Sequence, residues 1–70
     1  MKELRSSESY DFFSTASCIT YCDTLYHELH DMKVQVGDDI KITYSDGKID
    51  RVLIRDIEYL DGTIWVEVIE

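Results

Sequence analysis

The sequence predicts an α+β fold, with an N-terminal helix packed on a three- to four-stranded antiparallel meander. Apolar residues recur every three to four positions up to Met32 and every two positions thereafter, which are the helical and strand periods. Asp46-Gly47 and Asp61-Gly62 punctuate the alternating half, and both pairs are hairpin signals because such turns need positive φ values. Proline is absent and there are only three glycines, so no linker divides the 70 residues and one domain is expected over residues 1–70.

Residues 1 to 8 mix charges with serines and are expected to fray. Phe12, Ala16, Ile19, Cys22, Tyr26 and Leu29 then fall at helical spacing, and Phe13, Leu25 and Met32 widen the stripe. This predicts a helix near residues 10 to 31, with Ser9 as N-cap and Asp11 in the first turn, where the helix dipole favours an anion. Asp11, Asp23, His27 and Asp31 lie mostly off the apolar stripe. Thr15, Thr20 and Thr24 weaken the helix locally, and Ser-Cys-Ile-Thr-Tyr competes as a short strand.

Beyond Met32, Val34 and Val36 alternate, and Gly37-Asp38-Asp39 turns the chain. Ile40, Ile42 and Tyr44 alternate with Lys41, Thr43 and Ser45 up to Asp46-Gly47, expected as a two-residue hairpin. A second strand runs from Lys48 to about Tyr59, with a bulge near Arg55-Asp56. Asp61-Gly62 turns again, and Thr63 to Ile69 forms the last strand. Ile40, Ile42, Tyr44, Val52, Ile54, Ile64, Val66 and Val68 should share the face that the helix covers. The other face carries Lys41, Thr43, Arg51, Leu53, Arg55, Trp65, Glu67 and Ile69. That mixture of charge and apolar bulk, with Trp65, Ile69 and Leu53 as its apolar members, predicts a homodimer through this face.

A chain of this size buries only about 60% of its unfolded surface, so self-association would also help its stability. Hydrophobic residues make up 44% of it, enough for a core. No run approaches the roughly 20 apolar residues of a membrane span, and MKELRSSESYD lacks the apolar stretch of a signal peptide. An intracellular, cytoplasmic protein with Cys18 and Cys22 reduced is the expectation, the two thiols serving as small buried hydrophobes on one helix face.

Catalytic chemistry is not legible. His27-Glu28-Leu29-His30 departs from the zincin pattern His-Glu-x-x-His, since its histidines are three apart and cannot flank a bound water in that way. One helix also supplies no convincing fourth ligand, and paired Cys-x-x-Cys spacing is absent, so no metal or other cofactor is expected. Asp38-Asp39 and Asp56/Glu58 pair carboxylates without a pocket to raise a pKa. Cys22 and His27 lack an orienting third group, and there is no glycine-rich phosphate loop. The sequence reads as a non-enzyme.

Charge is the informative property. Fifteen carboxylates oppose seven basic side chains, for a net charge of −8. Direct nucleic-acid binding and anionic membrane surfaces are both disfavoured, and a basic protein is the favoured partner. Asp38, Asp39, Asp46, Asp50, Asp56, Glu58, Asp61 and Glu67 form the pool of partner-binding carboxylates. Several sit at turns and strand ends; Asp56 and Glu58, two apart on a strand, would stand roughly 6.5–7 Å apart.

In size, acidity and helix-plus-meander layout the whole chain resembles small acidic early proteins of bacteriophages that act as DNA mimics, among them inhibitors of the histone-like nucleoid protein HU. The resemblance implies a dimeric inhibitor in host takeover, one that covers the DNA-binding arms of a basic DNA-binding protein in the host cytoplasm. The segment VGDDIKITYSDGKIDRVLIRDIEYLDGTIWVEVIE is also similar to SH3-like and Sm-like barrels, which implies an adaptor or regulatory module. Such a barrel has about five strands, of which three are clear here.

Overall fold

The computed structural model describes residues 1–12 and 16–69. In chain order the elements are β1 (Lys2–Arg5), β2 (Ala16–Thr20), α1 (Thr24–Asp31), β3 (Asp39–Thr43), β4 (Ile49–Glu58) and β5 (Thr63–Ile69). The strands make a single five-stranded mixed sheet in the order β1-β3-β4-β5-β2. The expected meander is its centre: β3, β4 and β5 pair antiparallel in sequence. β1 adds in parallel outside β3, and β2 adds antiparallel outside β5. Among the described residues no helix is long and apolar enough to cross a membrane.

The N-terminal helix is overturned. Its expected middle, Ala16 to Thr20, is strand β2, and the helix is confined to Thr24–Asp31, after two strands. Phe13 and Thr15, also assigned to that helix, lie outside the described residues. Ile19, an apolar member of the expected stripe, is fully buried as a strand residue. The β-branched Ile19 and Thr20 suit a pleated surface, and the free edge of β5 supplies the ladder bonds. The competing strand in Ser-Cys-Ile-Thr-Tyr wins through that non-local partner. Residues 1–8 include β1, and Ser9 caps nothing; its hydroxyl donates to Asp46 at 3.1 Å. Cys18 is partly buried in β2 and Cys22 is exposed, so they are not a buried pair on one helix face.

Asp23 makes the corner between β2 and α1. Its carboxylate accepts from the backbone N–H and hydroxyl of Thr20 at 3.1 and 3.3 Å. The helix ends in a Schellman-type closure. Lys33, at φ 57°, donates its N–H to the His30 carbonyl, and the Val34 N–H points to that of Leu29. Buried Val34 and Leu29 supply the accompanying apolar contact. Val34 and Val36 therefore belong to a loop, with Val36 exposed.

The inner face of the sheet is the expected one. Ile40, Ile42, Tyr44, Val52, Ile54, Ile64 and Val66 are buried, joined by Ile19 of β2 and by Leu25, Tyr26 and Leu29 of α1. Val68 packs partly buried at the margin, with Tyr10 and Phe12 of the segment that crosses from β1 to β2. The register shifts between Ile54 and Asp56, so Arg55 is the extra residue of a bulge and Ile57 turns inward opposite Ile64. The first hairpin loop is one residue longer than expected. Gly47, at φ 91°, donates to the Tyr44 carbonyl and Tyr44 donates to that of Lys48, closing a loop over Ser45–Gly47. A turn followed by a left-handed glycine matches the strand twist at this length.

Two substitutions test this backbone. Lys33→Gly relieves a left-handed residue and should raise stability by about 0.5–1 kcal/mol. Gly62→Ala should lower it by about 1–2 kcal/mol, because Gly62 sits at φ 66° and an added Cβ would lie 2.9 Å from the Tyr21 ring. Denaturant midpoints at unchanged slope measure both.

Candidate interaction surface at the β4–β5 hairpin

The eight carboxylates of the expected partner-binding pool divide sharply. Asp38 accepts from the Gln35 N–H at 2.7 Å and from Lys2 Nζ at 2.9 Å, which hold its carboxyl below the usual range. Asp39 is gripped by the Arg51 guanidinium through both oxygens, Nε donating at 2.9 Å, and is lowered by it. Asp46 closes its own turn by accepting from the Lys48 N–H at 2.9 Å, the main cause of its lowered pKa. Asp50 accepts from the Tyr44 hydroxyl at 2.8 Å and lies 3.7 Å from Lys48. Burial first, and then this bond, push the Tyr44 phenol up. Glu67 faces Arg55 at 3.6 Å. These five serve the fold.

Asp56, Glu58 and Asp61 differ. Among the described residues none of them has a basic side chain at ion-pair distance. Asp56 accepts the N–H of Ile57, at 2.9 Å. Asp56 and Glu58 point to the outer face, opposite Trp65 and Thr63, and Asp61 follows in the loop that joins β4 to β5. Desolvation raises the Glu58 pKa, and the neighbouring carboxylates of Asp61 and Asp56 raise it further.

Exposed apolar side chains stand among these acids. Tyr59 is 62% exposed and Leu60 wholly so. Tyr21, 60% exposed, lies against Gly62 and donates its N–H to the Gly62 carbonyl at 2.8 Å. The His30 ring meets Tyr59 edge-on at 5.9 Å and stacks on Tyr26 at 6.1 Å. A recess of about 450 Å³ beside them is lined by His30, Asp31, Lys33, Val34, Gln35 and Tyr59. The signal in the sequence was Tyr-Leu before Asp-Gly, two large apolar residues where turns usually carry small polar ones.

The histidines of the His-Glu-Leu-His stretch take local partners. His27 Nε2 lies 2.6 Å from the Tyr21 carbonyl, and His30 packs between tyrosines. Glu28 accepts from the Ser6 hydroxyl at 2.7 Å and the Ser7 N–H at 3.0 Å, tying the chain after β1 to the helix. Among the described residues no group of three or more His, Cys, Asp or Glu side chains is placed to hold a metal ion.

Leu53, Trp65 and Ile69 share the outer face around Glu67, which lies opposite Leu53, while Ile69 lies opposite Arg51. None of the three joins the inner core. Trp65 is 43% exposed, and Leu53 and Ile69 are partly buried. Ion pairs run across the same face: Glu3–Lys41, Asp39–Arg51 and Arg55–Glu67.

No family of proteins, no curated sequence and no solved structure matches this chain.

The two groups of carboxylates should titrate with opposite effects on stability. Asp38, Asp39 and Asp46 are lowered, so their contribution is present above the ordinary range near pH 4 and is lost as pH falls through their folded pKa values. Glu58 is raised, so its ionised form opposes folding at neutral pH, and the opposition fades as pH falls through its folded pKa. Glu58→Gln should therefore raise the thermal midpoint at pH 7 and leave it unchanged at pH 3. Thermal scans of both proteins across this range check the sign.

Proposed function

We propose that the protein is a non-catalytic, acidic DNA mimic. On this reading it binds the DNA-contacting surface of a basic DNA-binding protein, with a histone-like nucleoid protein as the first candidate, and keeps DNA off it. The observation that carries the reading is the set of unopposed carboxylates Asp56, Glu58 and Asp61 on a two-stranded hairpin, while the other acids of the pool are engaged within the fold. Asp56 and Glu58 stand two residues apart on one face, roughly 6.5–7 Å, a separation suited to a cationic groove that meets successive phosphates. Fixed anions on a sheet cost less entropy to dock than anions on a mobile chain. Attraction to the partner then works as it does for DNA, steering encounter and weakening with salt. The protein would work in the bacterial cytoplasm as an inhibitor of the kind bacteriophages use in host takeover.

Self-association through Leu53, Trp65 and Ile69 belongs to the same proposal. These side chains form an apolar group on the outer face, and a two-fold contact there doubles the charge of −8 carried by one chain. The adaptor reading rests on the barrel resemblance; among the described residues the five strands form a sheet that ends at β1 and β2, with β1 parallel to β3. Its discriminating property is simultaneous binding of DNA and this protein to one partner, where the mimic reading requires exclusion.

Two experiments test the proposal. Against a purified histone-like protein, each single reversal among Asp56, Glu58 and Asp61 should weaken binding at most about fivefold, and the triple reversal to Lys about 100-fold with the fold intact. Duplex DNA should displace the wild-type protein; formation of a ternary complex sinks the mimic reading. Trp65→Lys should convert a dimer to a monomer in sedimentation, because a charge buried in an interface is costly. A wild-type protein that is monomeric at high micromolar concentration removes the dimer.

A further inference from the structure

The carboxylates account for attraction, but they leave the Tyr59-Leu60 tip unexplained. A four-residue connection between Glu58 and Thr63 needs its left-handed glycine, Gly62, and Asp61 is an ordinary turn residue. Tyr and Leu add nothing to that turn. Leu60 touches water over its whole side chain and contributes nothing to the core. Tyr21, itself exposed on the chain after β2, stands against Gly62 of the same loop.

The tip is also held in place. The Tyr21 N–H bond to the Gly62 carbonyl anchors the loop to the end of β2, and the His30 ring supports Tyr59 from the helix. A preorganised apolar centre with a charged rim is the anatomy of a binding hot spot, in which a few desolvated side chains supply most of the affinity. The rim here is Asp56, Glu58 and Asp61, and it selects the occupant. A second copy brought tip to tip would set these acids against themselves, and an anionic lipid surface would be repelled by them. A basic protein surface is complementary to them.

We infer that Tyr59 and Leu60 form an apolar anchor that seats in an apolar recess beside the cationic surface of the basic partner. This rests on the proposed function and deepens it. DNA has no equivalent of the anchor, so it is the part of the surface by which the protein exceeds DNA, and its contribution does not fade with salt as the carboxylates' does.

Leu60→Asp separates anchor from charge, because it makes the surface more acidic while removing the apolar group. Leu60 is wholly exposed, so the variant should fold as the wild type does, which circular dichroism checks. Titration of a purified histone-like protein is done at low and high salt with the wild type, Leu60→Asp, Leu60→Ser and the triple carboxylate reversal. We expect both Leu60 variants to bind about tenfold or more weakly, with the deficit kept at high salt. Equal or tighter binding by Leu60→Asp overturns the anchor and leaves the electrostatic reading standing. Loss with the Leu60 variants but not with the triple reversal overturns the electrostatic reading instead. Failure of the wild-type protein to bind overturns both. A change of sedimentation coefficient in Leu60→Asp alone means that the tip joins two copies of this chain, and it too overturns the inference.

Discussion

Everything in this protein follows from a sheet that can bury only one face. The inner face closes under an eight-residue helix and the segment from Ser6 to Phe12, around Ile40, Ile42, Val52, Ile54, Ile64 and Val66. Because strand side chains alternate, this leaves every intervening residue outside. An outer face of that kind must be made compatible with water, and it is laced with cross-strand ion pairs around a small apolar group. Those pairs use Lys41, Arg51 and Arg55, while Lys2 and Lys48 are used where the chain crosses between elements. Few cations remain to oppose the acids at the far end of the β4–β5 hairpin. The unneutralised acidic end is thus a consequence of how a one-sided sheet distributes its basic residues.

Polar clamps hold the part of the chain that the sheet cannot. Parallel pairing of β1 with β3 requires a long crossover, and here it contains β2 and α1. Its first stretch is fastened at both ends. Glu28 binds Ser6 and Ser7, and the Thr24 hydroxyl donates to Glu8 at 3.0 Å. Lys48 Nζ reaches the Tyr10 carbonyl at 3.2 Å and Asp11 at 2.6 Å, and it also lies over the Tyr44 ring. With the backbone held this way, Tyr10 and Phe12 pack edge-on and cover the rim of the core. Asp11, assigned to a helix N-terminus on sequence grounds, instead helps to raise the Lys48 pKa and joins the N-terminal segment to the first hairpin.

Function, on the proposed reading, uses what this packing leaves over. The tip of the β4–β5 hairpin joins unopposed acids to exposed apolar side chains, and Tyr21 and His30 contact it from two other elements. Electrostatic attraction brings a basic partner close, and an apolar contact would then resist dissociation. These two contributions answer differently to salt, so they can be measured apart.

From Asp39 to Ile69 the sequence by itself determined the local structure: the alternation of buried and exposed residues, two glycine turns and a bulge at Arg55 are all local properties, written within a few residues of where they act. The two strands before the helix, β1 and β2, were decided by the tertiary structure. β1 and β2 exist because β3 and β5 offer them edges, and their partners lie 38 and roughly 50 residues away along the chain, as in Lys2–Ile40 and Ala16–Glu67. The candidate site divided in the same way. That the protein is acidic, and that Asp56, Glu58 and Asp61 belong to the pool, is plain in the sequence. Which acids stay unopposed is not, because Asp38 is neutralised by Lys2 and Asp39 by Arg51, pairs formed only when distant strands meet. Exposure of Tyr59 and Leu60 escaped the sequence for a related reason: an apolar residue is legible as surface only when the core it fails to join has been built.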